Sequence, residues 1–189
     1  GVVSACSYEA RSFGVRSAMP ISEAYRKCPD GIFLPVRMER YHEVSKCVME
    51  ILSQYTPSMQ QISVDEACLD MTGTERLFGP PLQAALRMKR EVQEKTGLTL
   101  SVGIAPNRYL AKLASEYDKP DGLWLVEEGK ETEFLDRLPL RSLWGVGKKT
   151  IARLTECNIT SIEALRKLSL PVLKSMMGDG CGTFLYEAC

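Results

Sequence analysis

Asp65 and Glu66 are adjacent carboxylates inside Ile62-Ser63-Val64-Asp65-Glu66-Ala67-Cys68-Leu69-Asp70, where the apolar residues keep the alternation of a half-buried strand. Ionised carboxylates on such a strand lose hydration, a cost that a cation placed against them offsets. Mg²⁺ is the natural candidate, since it prefers carboxylate oxygens together with substrate phosphates. Successive strand residues face opposite ways, so the pair can meet one ion only if the chain turns between them. Taken alone, an Asp-Glu pair is the ordinary content of an exposed hairpin corner, and it is the motifs that follow which turn the reading towards a metal site.

Three further groups could handle phosphate. Leu140-x-x-Leu143-x-Gly145-Val146-Gly147-Lys148-Lys149-Thr150-x-Ala152-x-Leu154 has the helix-hairpin-helix pattern of non-specific DNA binders. Gly145 and Gly147 allow a tight backbone turn, the N–H groups that open the next helix point at a phosphate, and Lys148 and Lys149 add counter-charge. A following helix is expected from a capping box, Thr160-x-x-Glu163. Tyr8 and Arg11 stand three residues apart, so a helical turn puts a hydroxyl and a guanidinium on one side, a two-pronged grip for phosphate oxygens. Such pairs are also common on surfaces. Lys119-Pro120-Asp121-Gly122 is a turn sequence whose lysine points either into a site or into water.

Composition narrows the classes. The chain has 189 residues, 44% apolar and 25% charged, with no net charge, enough for one substantial domain and a small one. No stretch approaches the roughly 20 apolar residues of a membrane span, and no secretory signal is expected. The seven cysteines (6, 28, 47, 68, 157, 181 and 189) form no Cys-x-x-Cys pair, so neither a zinc site nor a disulfide framework is suggested and reduced, cytosolic thiols are expected. The one histidine, His42, sits in a helical pattern as a surface or boundary side chain. Charge is unevenly spread: from Arg141 to Lys174 seven basic residues face two acidic ones, a local charge of +5.

The elements that must position these groups follow from periodicity. Short strands are expected at Val2 to Cys6 and Ile32 to Pro35, with a helical run from Ser22 to Lys27 between them. Arg37 to Tyr55 carries an apolar stripe (Met38, Tyr41, Val44, Val48, Ile51, Leu52, Tyr55) at helical steps. Met59 to Val64 and Glu66 to Met71 read as a tight hairpin. Pro81 to Lys95 reads as a helix with Leu82, Ala85, Leu86 and Val92 inward, ended by Gly97. Leu98 to Ile104 reads as a strand, Asn107 caps a helix to about Tyr117, and Leu123 to Val126 is a last short strand. Helix, strand, strand, helix, strand becomes the split βαβ, ferredoxin-like arrangement if one strand is added in front. Short helices follow from Glu131, so an all-helical subdomain is expected from about Glu127. The chain opens on Gly1-Val2-Val3-Ser4 without an initiator Met, and a fragment lacking an upstream strand is expected.

Together, Ser7-Tyr8-Glu9-Ala10-Arg11-x-Phe13-Gly14-Val15-Arg16-Ser17-Ala18-Met19-Pro20, Ile62 to Asp70, Ser101-Val102-Gly103-Ile104-Ala105-x-Asn107-Arg108-x-Leu110-Ala111-Lys112-Leu113-Ala114-Ser115 and Lys119 to Gly122 resemble the Y-family translesion DNA polymerases, in particular the DNA polymerase IV branch. The resemblance runs in order over nearly the whole chain. It implies an α+β fold: small fingers (1–36), a ferredoxin-like palm of antiparallel sheet backed by two helices (37–126, first strand missing) and an all-helical thumb containing the helix-hairpin-helix (127–189). It implies template-directed nucleotidyl transfer with two Mg²⁺ ions, Asp65 bridging both and Glu66 binding the one that activates the primer 3′-hydroxyl. A further Asp is expected upstream of residue 1. Tyr8, Arg11 and Lys119 would hold the incoming deoxynucleoside triphosphate, and Gly145, Gly147, Lys148 and Lys149 the primer–template duplex. A monomer in the bacterial cytoplasm is implied, with a sliding clamp as candidate partner of the region beyond residue 189. The 189 residues alone are expected to be inactive. A DNA-binding remnant with inert Asp65 and Glu66 is one rival, set against by the retention of Tyr8, Arg11 and Lys119. A nucleotidyl cyclase with a related palm is the other, and it has no need of a duplex-holding hairpin.

Overall fold

The computed structural model describes all 189 residues and divides them into two compact units, Gly1–Glu43 and Val44–Cys189. The first unit holds α1 (Tyr8–Ser12), α2 (Ile21–Lys27) and the start of α3 (Met38–Leu52), around a small core of Val3, Val15 and Ala24. The strand expected at Val2 to Cys6 is reduced to one antiparallel bridge, Val2 to Pro20, and Ile32 to Pro35 runs without strand pairing. Apolar alternation there is not matched by a neighbouring strand, and a strand exists only through its partner.

The second unit continues with β1 (Met59–Gln61), β2 (Ala67–Leu69), α4 (Glu75–Phe78), α5 (Pro81–Thr96), β3 (Val102–Ile104), α6 (Arg108–Tyr117) and β4 (Leu123–Leu125). The helical remainder is α7 (Glu131–Asp136), a 3₁₀ turn at Leu140–Ser142, α8 (Lys148–Glu156), α9 (Ile162–Arg166), α10 (Leu170–Met177) and α11 (Asp179–Glu187). The fold is α+β, as expected. No helix is long and apolar enough to cross a membrane.

The strands form two separate ladders. β1 and β2 pair antiparallel, Met59 opposite Leu69, whereas β3 and β4 pair parallel, Val102 opposite Leu123. The parallel pair follows from α6, which lies between β3 and β4 in sequence and supplies the crossover that parallel neighbours need. Gly103 lets α6 lie close on β3, since a side chain there would collide with the backbone of Ala111 and Ser115.

Two cores hold this unit. Met49, Leu52, Tyr55, Ala84 and Met88 pack α3 and α5 with the β1–β2 hairpin. The face of α5 differs from expectation: Ala84, Ala85, Met88 and Val92 are buried while Leu82 and Leu86 are exposed. Periodicity leaves open which flank of the stripe is covered, and here Ala84 and Met88 join the core with Met49, Leu52 and Tyr55 while the two leucines stay exposed. The larger core runs without a break from α6 (Leu110, Leu113, Ala114) to Leu154, Ile162, Leu165, Leu173 and Leu185 in α8 to α11. Leu154 is fully buried and seats α8, a contribution of about 2 kcal/mol. The cap of α9 is Ser161, whose hydroxyl accepts from the Ala164 N–H at 3.1 Å, and not Thr160. Either hydroxyl could serve a helix start, and burial of Ile162 and Leu165 selects the register.

Candidate functional site

The carboxylate pair sits where β1 turns into β2. The Glu66 carbonyl accepts from Ile62 N–H at 2.8 Å and Ser63 N–H at 3.2 Å, closing a loop over residues 62 to 66. Asp65 is exposed at its tip, and its Oδ1 accepts from the Ser63 hydroxyl at 2.7 Å. Glu66, half-buried at the mouth of β2, reaches α6, where Oε1 takes the Lys112 ammonium at 2.7 Å. The chain therefore does turn beside these two residues, yet each makes separate contacts. The 189 residues bring together no group of three His, Cys, Asp or Glu side chains placed for a metal. The donor chemistry suits a hard divalent cation all the same: the available ligands are carboxylate oxygens, and Glu66 already takes a cation.

α6 is set by its cap and its Gly103 contact. The Asn107 side chain accepts from Leu110 N–H at 2.9 Å, as its position predicts, and Arg108 donates to Gln60 on β1 at 2.7 Å. Lys112 also donates to Glu116 at 2.9 Å, and Glu116 accepts from Lys119 at 2.7 Å. Lys119 thus folds back on α6. Burial alone would lower the Lys112 ammonium, but the hydrogen bonds it donates to Glu66 and Glu116 outweigh that and raise the group above its ordinary value. Burial opposes ionisation of Glu116, and the two lysines, Lys119 foremost, still hold it below the usual carboxylate range.

The loop that carries Lys119 is pinned from α5. Lys89 donates to the carbonyls of Leu100 (2.6 Å), Asp121 (2.7 Å) and Gly122 (3.3 Å) and pairs with the Asp121 carboxylate.

The expected helix-hairpin-helix forms from the 3₁₀ turn at Leu140–Ser142, the loop Leu143 to Gly147 and α8. Gly145 has φ +92°, and a Cβ there would lie 2.8 Å from the Phe184 ring, so both conformation and space require glycine. Gly147 is the residue before α8 and offers no side-chain cap. The first N–H groups of the helix are left to an outside acceptor. Lys148, Lys149, Arg141 and Arg153 are exposed without a carboxylate partner, whereas Arg166, Lys167 and Lys174 are paired with Asp136, Glu163 and Asp179. The unpaired cations of the basic segment therefore gather on the hairpin and α8.

The hairpin and the carboxylate share a cavity. A space of about 380 Å³ is lined by Glu66, Lys112, Glu116, Arg141 and Trp144, among others. Tyr109 on α6 braces it by donating to the Trp144 carbonyl at 3.3 Å, and burial pushes its phenol up to about 12. Lys112, Glu116, Arg141 and Trp144 were not singled out from sequence. The spacing of Lys112, Glu116 and Lys119, four and then three residues, is the signal that marks one helical face.

In the first unit Tyr8 and Arg11 do share a side of α1, whose Ser7 cap accepts from Ala10 N–H at 3.2 Å. The Arg11 guanidinium lies 5.6 Å from the Tyr8 ring centroid, and neither side chain has a carboxylate partner. Tyr8 and Arg11 belong to one unit, and Asp65, Glu66, Lys119 and the hairpin to the other.

Comparison with known proteins gives this geometry a context. Residues 1–116 match the family described as impB/mucB/samB, and residues 141–189 match a domain described as the thumb domain of DNA polymerase-iota. A DNA polymerase IV of Treponema denticola is 54% identical over 188 residues, covering 100% of this chain and 48% of the relative. One of Desulfatibacillum aliphaticivorans is 47% identical, covering 98% and 47%. The crystal structure of DinB from Sulfolobus solfataricus superposes with a TM-score of 0.92 at 31% identity, over 100% of this chain and 55% of that one. An insertion ternary complex of Dbh DNA polymerase gives 0.86 at 31% identity, over 96% and 53%. The chain spans about half the length of the curated relatives it matches.

Proposed function

Because this chain belongs to the impB/mucB/samB family, the Y-family DNA polymerases, we propose that it is the catalytic portion of a longer DNA polymerase IV that copies template strands past damaged bases. The observation that carries this reading is the cavity whose lining includes both Glu66 of the carboxylate pair and the hairpin residues Arg141, Trp144, Gly145 and Val146. Residues 1–36 act as fingers, 37–126 as palm and 127–189 as thumb.

Asp65 and Glu66 hold Mg²⁺, with a third carboxylate from a strand upstream of residue 1. When bound, two Mg²⁺ ions supply charge neutralisation at the attacking and leaving oxygens of the transferred phosphoryl group. Lys119 exchanges its Glu116 carboxylate for the triphosphate of the incoming nucleotide, one charge-assisted hydrogen bond for another. Tyr8, with its hydroxyl, and Arg11, with its planar guanidinium, are donors suited to triphosphate oxygens. The N–H groups at the start of α8, with Lys148 and Lys149, hold backbone phosphates of the primer–template duplex without reading bases. The partners are primer–template DNA, deoxynucleoside triphosphates and, through the region beyond residue 189, a sliding clamp. The protein works as a monomer in the bacterial cytoplasm.

The test is extension of a labelled primer by the longer protein, with Mg²⁺ and nucleotides, on an undamaged template and on one carrying an abasic site. Template-dependent products that pass the lesion are expected. Absence of template-dependent incorporation on either DNA overturns the reading, and extension that halts at the lesion overturns its translesion part.

A further inference from the structure

Lys112 stands between two carboxylates that it cannot serve equally once a metal arrives. Its Nζ lies 2.7 Å from Glu66 Oε1 and 2.9 Å from Glu116 Oε1, with the side chain only 23% exposed. Glu116 in turn takes Lys119 at 2.7 Å, so Glu66, Lys112, Glu116 and Lys119 form a line of alternating charge from the hairpin to the Lys-Pro loop. A divalent cation on Glu66 would face an ammonium within hydrogen-bond distance of the same oxygen. Two cations at that separation repel strongly in a half-buried site. The lysine must therefore leave, and Glu116, one helical turn along α6, already offers it a second partner.

We propose that Lys112 is a positioning residue that holds Glu66 closed to divalent cations, and that Glu116 is the carboxylate onto which its ammonium withdraws when a cation takes Glu66. This rests on the assignment of Glu66 as a metal ligand. Breaking a shared ion pair inside the protein lets the lysine stay paired throughout, so the exchange avoids stranding a half-buried charge. Glu116 acts on Glu66 only through Lys112. That dependence separates a relay from the simple pull of one more negative charge.

The experiment is Mn²⁺ titration of the longer protein without DNA or nucleotide, followed by the electron paramagnetic resonance signal of free Mn²⁺. Lys112→Met is expected to tighten binding on the order of three- to tenfold, the scale of coupling between contacting residues. Glu116→Gln is expected to weaken it by a similar factor, because Lys112 then rests on Glu66 alone. In the Lys112→Met background, Glu116→Gln is expected to change nothing further. Lys112→Arg keeps the charge and should stay near wild type, and Lys112→Gln takes the place of Lys112→Met in the single and double variants if the latter does not fold. Unchanged or weaker binding by Lys112→Met, or additive effects in the double variant, overturns the proposal. Glu66→Gln separates the two readings: if it leaves Mn²⁺ binding intact, the metal assignment itself fails, whereas loss of binding there with no effect at Lys112 removes this proposal alone.

Discussion

Replacing Lys148 and Lys149 with alanine probes whether the hairpin binds duplex through phosphates. Both side chains are exposed and neither has a carboxylate partner, so their whole charge is available to DNA. Each phosphate contact contributes about 0.9 to the slope of log K against log salt, so losing two flattens that slope by about 1.8. At 0.1 M salt this corresponds to about 60-fold weaker binding, shrinking towards nothing near 1 M. The assay is fluorescence anisotropy of labelled duplexes of several sequences between 50 and 200 mM salt. Lys167 and Lys174 supply the control, since they are held by Glu163 at 2.6 Å and Asp179 at 4.0 Å. Alanine at those positions should leave the slope nearly unchanged. An unaltered slope in the Lys148, Lys149 variant, an equal loss in the control, or a loss confined to one DNA sequence would refute the reasoning.

Arg11→Ala in the longer protein should raise the KM for nucleotide, lower kcat and reduce kcat/KM about 30-fold, the worth of a charged hydrogen bond, while DNA affinity holds. A change in DNA binding alone would place Arg11 on the template path. Lys89→Met removes the donor that pins Leu100, Asp121 and Gly122, so amide exchange over residues 118 to 122 should quicken and nucleotide KM rise without a change in duplex affinity; unchanged exchange would show that the loop holds itself. Burial pushes Tyr55 up to about 12. Its folded form favours the proton, so this stability is full below the unfolded value near pH 10 and is lost as pH rises through about 12. Tyr55→Phe should make the alkaline fall in Tm shallower, and an unchanged fall would count against it.

What could be read from the sequence was local. The Asn107 cap, the Gly97 stop and the two glycines of the hairpin each act within a few residues, and each stands where the pattern put it. The Asp65 and Glu66 turn was legible as a requirement, because adjacent strand residues diverge unless the chain bends. Periodicity marks a stripe on α5 without saying which side of it meets the neighbour, so Leu82 and Leu86 are exposed while Ala84 and Met88 are buried. Thr160 and Ser161 are equivalent to a local rule, and only the buried face of α9 chooses between them. Val2 to Cys6 shows the limit for strands, whose existence depends on a partner elsewhere. The Lys112 contact with Glu66 spans 46 positions, beyond any periodic signal. So does the cavity that brings Arg141 and Trp144 to the same place.

The central claim, that Glu66 holds a metal for nucleotidyl transfer, is tested most directly by primer extension with the longer protein, the same protein as Glu66→Gln, and the 189 residues alone. Exchange of carboxylate for amide keeps size and removes the ligand charge, and displacing reacting groups by about 1 Å already costs on the order of 100-fold. The account predicts template-directed extension by the first protein and none by the other two. Robust extension by the Glu66→Gln form would contradict it.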